Sequence, residues 1–365
     1  QAVTLSSQMG VMKLKSVGFI LLATILIWSC AEQDAKSNDS NADKAIKHSG
    51  EVNVYSHRYY DSDKELFKRF EEETGIVVNI KMDDADRLIQ LIQAEGENSP
   101  ADLLITTDIG RLVYAQDLGL LDYADSKTLI ERIPSHLRDS DNEWFGLTKR
   151  ARVIMYNTDL VDPSELSTYE DLATDKWKGQ ISVRSSTNIY NRSLLSSIIA
   201  HHKIEQATEW AASVRDNMAT DPKGNDRDQL KNIVSGTGKI ALANTYYLGL
   251  MLNSENEAER AAAAKILPFF PNQDGRGAHV NISGAGVVKG ASNKTNAIKL
   301  LEYLVSVDAQ SLYVEANYEY PVNPNVPMSE LLASWGEFEE DTLDLEVVGR
   351  LQADAIVVFE AAEWD

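Results

Sequence analysis

Five tyrosines stand where a strand-like run gives way to a helix-like one. Tyr59 and Tyr60 fall in YSHRYYDSD, Tyr190 in RSSTNIYNRS, and Tyr246 and Tyr247 in LANTYYLGL. Neighbours on a strand point to opposite faces, so a Tyr-Tyr pair there would share no purpose. At a strand-to-helix turn the backbone bends, and both rings can enter one cleft. A phenolate is a harder and more basic oxygen ligand than a carboxylate, because its proton leaves only near pH 10. Ionising it near neutrality costs about 1.4 kcal/mol per pKa unit, which a strongly charged cation such as Fe(III) repays and Ca(II) or Mg(II) does not. A single Tyr-Tyr pair would more simply stack on a sugar, an amino acid or a polyamine. Three groups at three strand ends favour the cation. Arg150, Arg152 and Arg184 are the cations placed to favour ionised phenols.

Other chemistry is scarce. The chain has no P-loop, no GxSxG elbow, no HExxH and no EF-hand loop. Gly284-Ala285-Gly286 lacks the third glycine of a dinucleotide fingerprint and reads as a packing feature. His201 and His202 fall on a helix that reads as solvated, and His57 reads as structural.

The elements that must position the tyrosines alternate. A strand Glu51 to Ser56 precedes a helix Asp63 to Thr74, with Ser62 and Glu65 spaced as a capping box and Gly75 to end it. A β-branched strand Ile76 to Ile80, a helix Ala85 to Ala94, a strand Leu103 to Ile105 and a helix after Asp108 follow. A second unit begins after Arg150, with strands Val153 to Tyr156, Ile181 to Val183 and Lys239 to Ala243, and helices Leu194 to Ala200 and Ala207 to Val214. After the breaker-rich PNQDGRG come a strand Ala285 to Val288 and a helix Ala297 to Val305. This alternation predicts an α/β fold with a parallel sheet, arranged as two lobes around a cleft. Ligands of such sheets bind at the carboxyl ends of strands, where all three tyrosine groups fall.

Length and composition agree. The 365 residues are many for one core, and 43 % hydrophobic with 25 % charged residues excludes a disordered chain. The net charge of −21 repels nucleic acid and anionic membranes and favours cations only in a general way. Lys13 and Lys15 precede the apolar run VGFILLATILIW, which ends at Ser29 and Cys30. That is a secretory signal, too short to span a bilayer permanently. Cys30 is the only cysteine, so no intramolecular disulfide can form. Residues 31–50 are polar and nearly free of aliphatics, as a flexible tether would be. Residues 1–30 therefore read as signal peptide and residues 31–50 as tether.

Several blocks together resemble the periplasmic ferric-iron-binding proteins of bacterial ABC importers. They are YSHRYYDSDKELFKRFEEETGI, SPADLLITTDIGRL, LTKRARVIMYNTD, ISVRSSTNIYNRSL, IALANTYYLGL, HVNISGAGVVKGASN and YPVNP, spread from Glu51 to Pro324. The resemblance implies a type II periplasmic-binding-protein fold, with lobe 1 at 51–149 plus about 278–365, lobe 2 at 150–277, and two or so crossing strands. It implies a monomer that delivers Fe(III) to an inner-membrane permease without catalysis. Tyr60 matches the first-lobe ligand, Tyr190 the middle one, and Tyr246 with Tyr247 the pair of the second lobe. Arg150 or Arg152 would hold the charge of a tyrosinate. Where the family commonly has Arg-His-Tyr this chain has Arg58-Tyr59-Tyr60, so Tyr59 either supplies a fifth phenolate or swings away. Cys30 resembles the lipobox cysteine of bacterial lipoproteins, with Trp28 a departure from that pattern; the resemblance implies a periplasmic protein anchored by lipid. The alternative reading keeps the fold and replaces iron by a polyamine or a small oxyanion.

Overall fold

A computed structural model describes residues 49–58 and 60–365. The signal segment, Cys30, the tether through residue 48 and Tyr59 lie outside the described residues.

Ten strands form one sheet. They are β1 (Glu51–Ser56), β2 (Val77–Met82), β3 (Leu103–Thr106), β4 (Leu121–Asp122), β5 (Trp144–Asn157), β6 (Ile181–Ser182), β7 (Ile240–Asn244), β8 (Ile266–Phe269), β9 (Val280–Val288) and β10 (Tyr320–Pro321). The order is β2-β1-β3-β9-β5-β7-β6, with β4 on β9 and β8 and β10 on β5. The sheet, expected to be parallel, is mixed. Pairs β1/β2, β1/β3 and β6/β7 are parallel, whereas β3/β9, β5/β9 and β5/β7 are antiparallel. The reason is connectivity: the chain leaves the first half of the sheet along β5 and returns along β9, so these two neighbours run in opposite directions.

β5 is the element that sequence patterning underestimated most. Its 14 residues pair with β9 from Trp144 to Ala151 and with β7 from Arg152 to Tyr156, so one strand belongs to both halves of the sheet. Lys149, Arg150 and Arg152 interrupt the apolar pattern and hide its length. Two hydrophobic cores lie along it. The first gathers Val52, Leu66, Phe70, Leu112, Trp144 and Ile282, and the second gathers Ile154, Tyr169, Trp177, Leu195, Trp210 and Trp364. The last helix, Gln352–Ala361, sends Ala355, Val358 and Phe359 into the second core.

Local details follow residue chemistry. The first helix runs Asp61–Thr74, two residues earlier than expected, and Tyr60 rather than Ser62 stands at its N-cap. Ser62 forms no capping box; its hydroxyl donates to Asn317 Oδ1 at 2.9 Å. Gly75 closes the helix with φ 71°, as its position suggested. The helix Ile189–Asp216 unites two predicted helices across a break at Lys203, whose φ is 66°. His201 and His202 sit just before that break and bond Asp341 Oδ2 at 2.8 Å and Glu170 Oε1 at 2.7 Å.

Gly284 and Gly286 are packing residues of the central strand. A Cβ on Gly284 would lie 2.7 Å from the Phe145 carbonyl oxygen, and one on Gly286 2.7 Å from that of Glu143. Both obstacles are backbone and cannot rotate aside. Gly284→Ala is therefore expected to lower stability by about 1–3 kcal/mol, the usual cost of overpacking. A drop in the urea midpoint at unchanged slope would show it; an unchanged midpoint would mean that β5 and β9 can separate freely.

Candidate metal centre

Each tyrosine group is set by the end of a strand. β1 delivers Arg58, and Tyr60 follows in extended backbone at the head of the first helix. Tyr190 lies in the first turn of the helix that Asn188 caps by accepting from the Asn191 amide. β7 runs directly into the helix Thr245–Leu252, whose first turn carries Tyr246 and Tyr247. The side chains converge. The hydroxyls of Tyr246 and Tyr190 are 3.4 Å apart, and the rings of Tyr246 and Tyr247 lie 4.3 Å apart at 36°. Tyr60 interacts electrostatically with Tyr190, Tyr246 and Tyr247, although it comes from the other end of the chain.

Burial is the main influence on these phenols. It raises Tyr60, Tyr246 and Tyr247 far above the ordinary tyrosine range, and their mutual repulsion as anions adds to it. Without a cation these three therefore keep their protons at neutral pH. Arg150 acts in the opposite direction on Tyr60 and Tyr246, and its guanidinium carbon stands 5.1 Å from the centre of the Tyr190 ring. Among the described residues no group of three His, Cys, Asp or Glu is placed to hold a metal ion. Four phenols are the concentrated donor set that remains.

The two arginines that the sequence singled out have different surroundings. Arg150 donates to Ser283 Oγ at 3.2 Å and to the Thr107 carbonyl, with Asp108 3.7 Å away. Arg152 donates to Asp226 Oδ1 at 3.0 Å, Asn244 Oδ1 at 3.2 Å and Asn191 Oδ1 at 2.5 Å. Asn244 precedes the Tyr246–Tyr247 helix and Asn191 follows Tyr190, so Arg152 ties together the two helix starts that carry three of the phenols. Arg184 completes the Asp226 pair at 2.7 Å.

Residues that sequence reasoning passed over support Tyr60. The Arg58 guanidinium lies 4.9 Å from the Tyr60 ring centre and bonds Asp63 at 3.1 Å and Glu319 at 3.0 Å. Thr148 Oγ1 donates to Glu319 at 2.8 Å, and the Tyr313 hydroxyl donates to Asp63 at 2.9 Å. Position beside Tyr60 was the signal for Arg58; Glu319, more than two hundred and fifty residues away, offered none. His57 bonds the Asp83 carbonyl through Nδ1 at 3.3 Å.

A model of the bacterial extracellular solute-binding proteins matches residues 98–337. The chain belongs to that family. This solute-binding protein is 45 % identical over 346 residues to "Iron uptake protein A1" of Synechocystis sp., covering 94 % of this chain and 95 % of that protein. A Trichodesmium structure described as IdiA or FutA "in complex with iron and citrate ligands" superposes with TM-score 0.84 at 50 % identity, over 87 % of this chain and all of that one. The "Ferric binding protein from Campylobacter jejuni" gives TM-score 0.81 at 42 % identity, over 86 % and 100 % of the two chains. The solute-binding protein thus has the two-lobed type II periplasmic-binding-protein fold with a cleft between its lobes. Its family binds solutes for transport and is not a family of enzymes.

Glu319 supplies a test of the network under Tyr60. Burial pushes its carboxyl up, but Arg58 and then Arg150 outweigh burial and hold it below the ordinary glutamate value of 4.5. A depressed folded value stabilises the fold above about pH 4.5, and that contribution fades as pH falls through the lower, folded value. Glu319→Gln is expected to destabilise the protein and to flatten the acid limb of its stability profile below that pH. Glu319→Ala should cost about 3–5 kcal/mol, because it leaves Arg58 buried with a single carboxylate. Denaturant titrations at several pH values would read both effects.

Proposed function

We propose that this protein binds Fe(III) in the interlobe cleft through the phenolates of Tyr60, Tyr190, Tyr246 and Tyr247, and hands it to the inner-membrane permease of an ABC importer. The observation that carries the reading is the convergence of four phenols, buried or partly buried, from three distant chain segments. Relatives named for iron uptake and ferric-iron binding support the same cargo. In this reading lobe 1 comprises residues 51–149 with those from about 278, lobe 2 comprises 150–277, and the last helix packs on lobe 2. Tyr59 is the fifth candidate ligand. Arg150 offsets the charge of the bound tyrosinates, and Arg152 positions the helices that bear them. The protein works as a monomer in the periplasm, held to the membrane by lipid on Cys30.

The protonation of Tyr60, Tyr246 and Tyr247 makes the cargo specific. Tyr60, Tyr246 and Tyr247 must each release a proton that burial holds tightly, and only a cation of high charge density offsets that cost. A divalent cation would leave most of it unmet. Hydrogen-ion release then couples to binding: for every phenol ionised, affinity falls about tenfold per pH unit as the solution is acidified.

Loading the purified protein with ferric citrate should produce a visible tyrosinate-to-iron charge-transfer band. Tyr246→Phe and Tyr247→Phe should each bleach or shift it. A colourless loaded protein would overturn the assignment of iron to phenolates, and unchanged spectra in both variants would remove that pair from the ligand set. Competition with a chelator at several pH values should give an affinity that declines steeply toward acid; a flat profile would show that the phenols stay protonated.

A further inference from the structure

A second cavity lies beside the start of the helix that carries Tyr190, where the two cores meet. A cavity of about 340 Å³ is walled on one side by the helices Ala85–Glu95 and Ile109–Asp117, and on the other by the start of Ile189–Asp216 and by Leu345–Arg350 and Gln352–Ala361. Arg111, Arg192 and Arg350 line it. Two of the three are committed: Arg350 bonds Asp117 and Glu346, and Arg111 reaches Asp86 at 3.0 Å through one nitrogen. Arg192 is different. Its Nε donates to the Ser186 carbonyl at 3.1 Å, and no carboxylate lies within ion-pair distance among the described residues. Burial disfavours its charge and the Arg111 guanidinium repels it, while Asp86, already bonded to Arg111, attracts it from a distance. A half-buried guanidinium with free terminal donors beside a second guanidinium is an anomaly in a chain of net charge −21. It makes sense if an anion belongs between them.

We infer that this cavity binds a small polycarboxylate, with one carboxylate on Arg192 and another on Arg111, bridging the two lobes independently of the metal centre. Guanidinium forks match carboxylate geometry bidentately, which gives such a pair both strength and direction. The size of the cavity, room for about ten waters, exceeds what one phosphate or chloride would fill. Tyr114, Ile189 and Ile356 provide apolar wall for a carbon skeleton between the acid groups. The site is separate from the phenols although Arg192 is two residues from Tyr190. Residues two apart on a helix point about 200° from one another, so Tyr190 faces Arg150 while Arg192 faces Arg111. Arg111 lies on the helix whose Leu112 and Val113 enter the first core and Arg192 on the helix whose Leu194 and Leu195 enter the second, so the bound anion would tie these two helices together.

The test uses the full chain, stripped of iron, in low-salt buffer, with tricarballylate as probe because it lacks the hydroxyl that aids iron chelation. Calorimetric titration should show one saturable site per chain. Arg192→Gln and, from the opposite wall, Arg111→Gln should each weaken binding about tenfold to a hundredfold, as loss of a charge-assisted hydrogen-bonded pair does. Tyr246→Phe should bind tricarballylate as the parent does, which separates this site from the phenol site whatever the latter holds. Absence of binding to the parent, unchanged affinity in Arg192→Gln with its melting temperature preserved, or equal affinity for orthophosphate would each overturn the proposal.

Discussion

Two arginines buried side by side along β5 impose the constraint on which the rest of the site depends. Arg150 and Arg152 are both 2 % exposed, and a charge so placed must be paired or the fold fails. The partners they recruit come from distant segments: Asp108 and Ser283 for Arg150, Asp226, Asn191 and Asn244 for Arg152. Of these, Asn191 and Asn244 stand at the helix starts that carry Tyr190, Tyr246 and Tyr247. Pairing the strand's charges and aiming the phenols are therefore one act of folding. Arg58, tied to Asp63 and Glu319, repeats the arrangement under Tyr60.

The same constraint explains how a site of uncharged phenols can exist inside an acidic protein. Carboxylates near the tyrosines are already engaged with arginines: Asp226 with Arg152 and Arg184, Glu319 with Arg58. They consequently hold the scaffold and leave the phenol oxygens facing one another. Burial keeps protons on Tyr60, Tyr246 and Tyr247, so these three rings can approach without the repulsion that three anions would suffer.

β5 and β9 provide the mechanical frame. They run antiparallel through the centre of the sheet, and the close backbone approach at Gly284 and Gly286 leaves no space for side chains between them and their neighbours. Because β5 pairs with β9 over one half and β7 over the other, residues on a single strand address both cores. A displacement of that strand would be felt at Tyr60 through Thr148 and Glu319, and at Tyr246 through Arg152 and Asn244.

What the chain itself declares is local. Tyr-Tyr pairs at strand-to-helix junctions, a β-branched strand followed by capped helices and an isolated cysteine after an apolar run are patterns of neighbours. The periodicities of 2 and 3.6 residues make neighbours readable without a fold. The length of β5 was not readable, since arginines inside a strand look solvated until their acceptors are known. Neither was the mixed sheet direction, which follows from where the chain re-enters, nor the seating of the last helix on the second core. Glu319 and Asp226 acquired their roles only through contacts spanning tens to hundreds of residues. Such pairings depend on relative position in space, and sequence spacing carries no record of it. The residue types therefore announced a set of phenols at strand ends, while the tertiary structure decided which charges stand behind them.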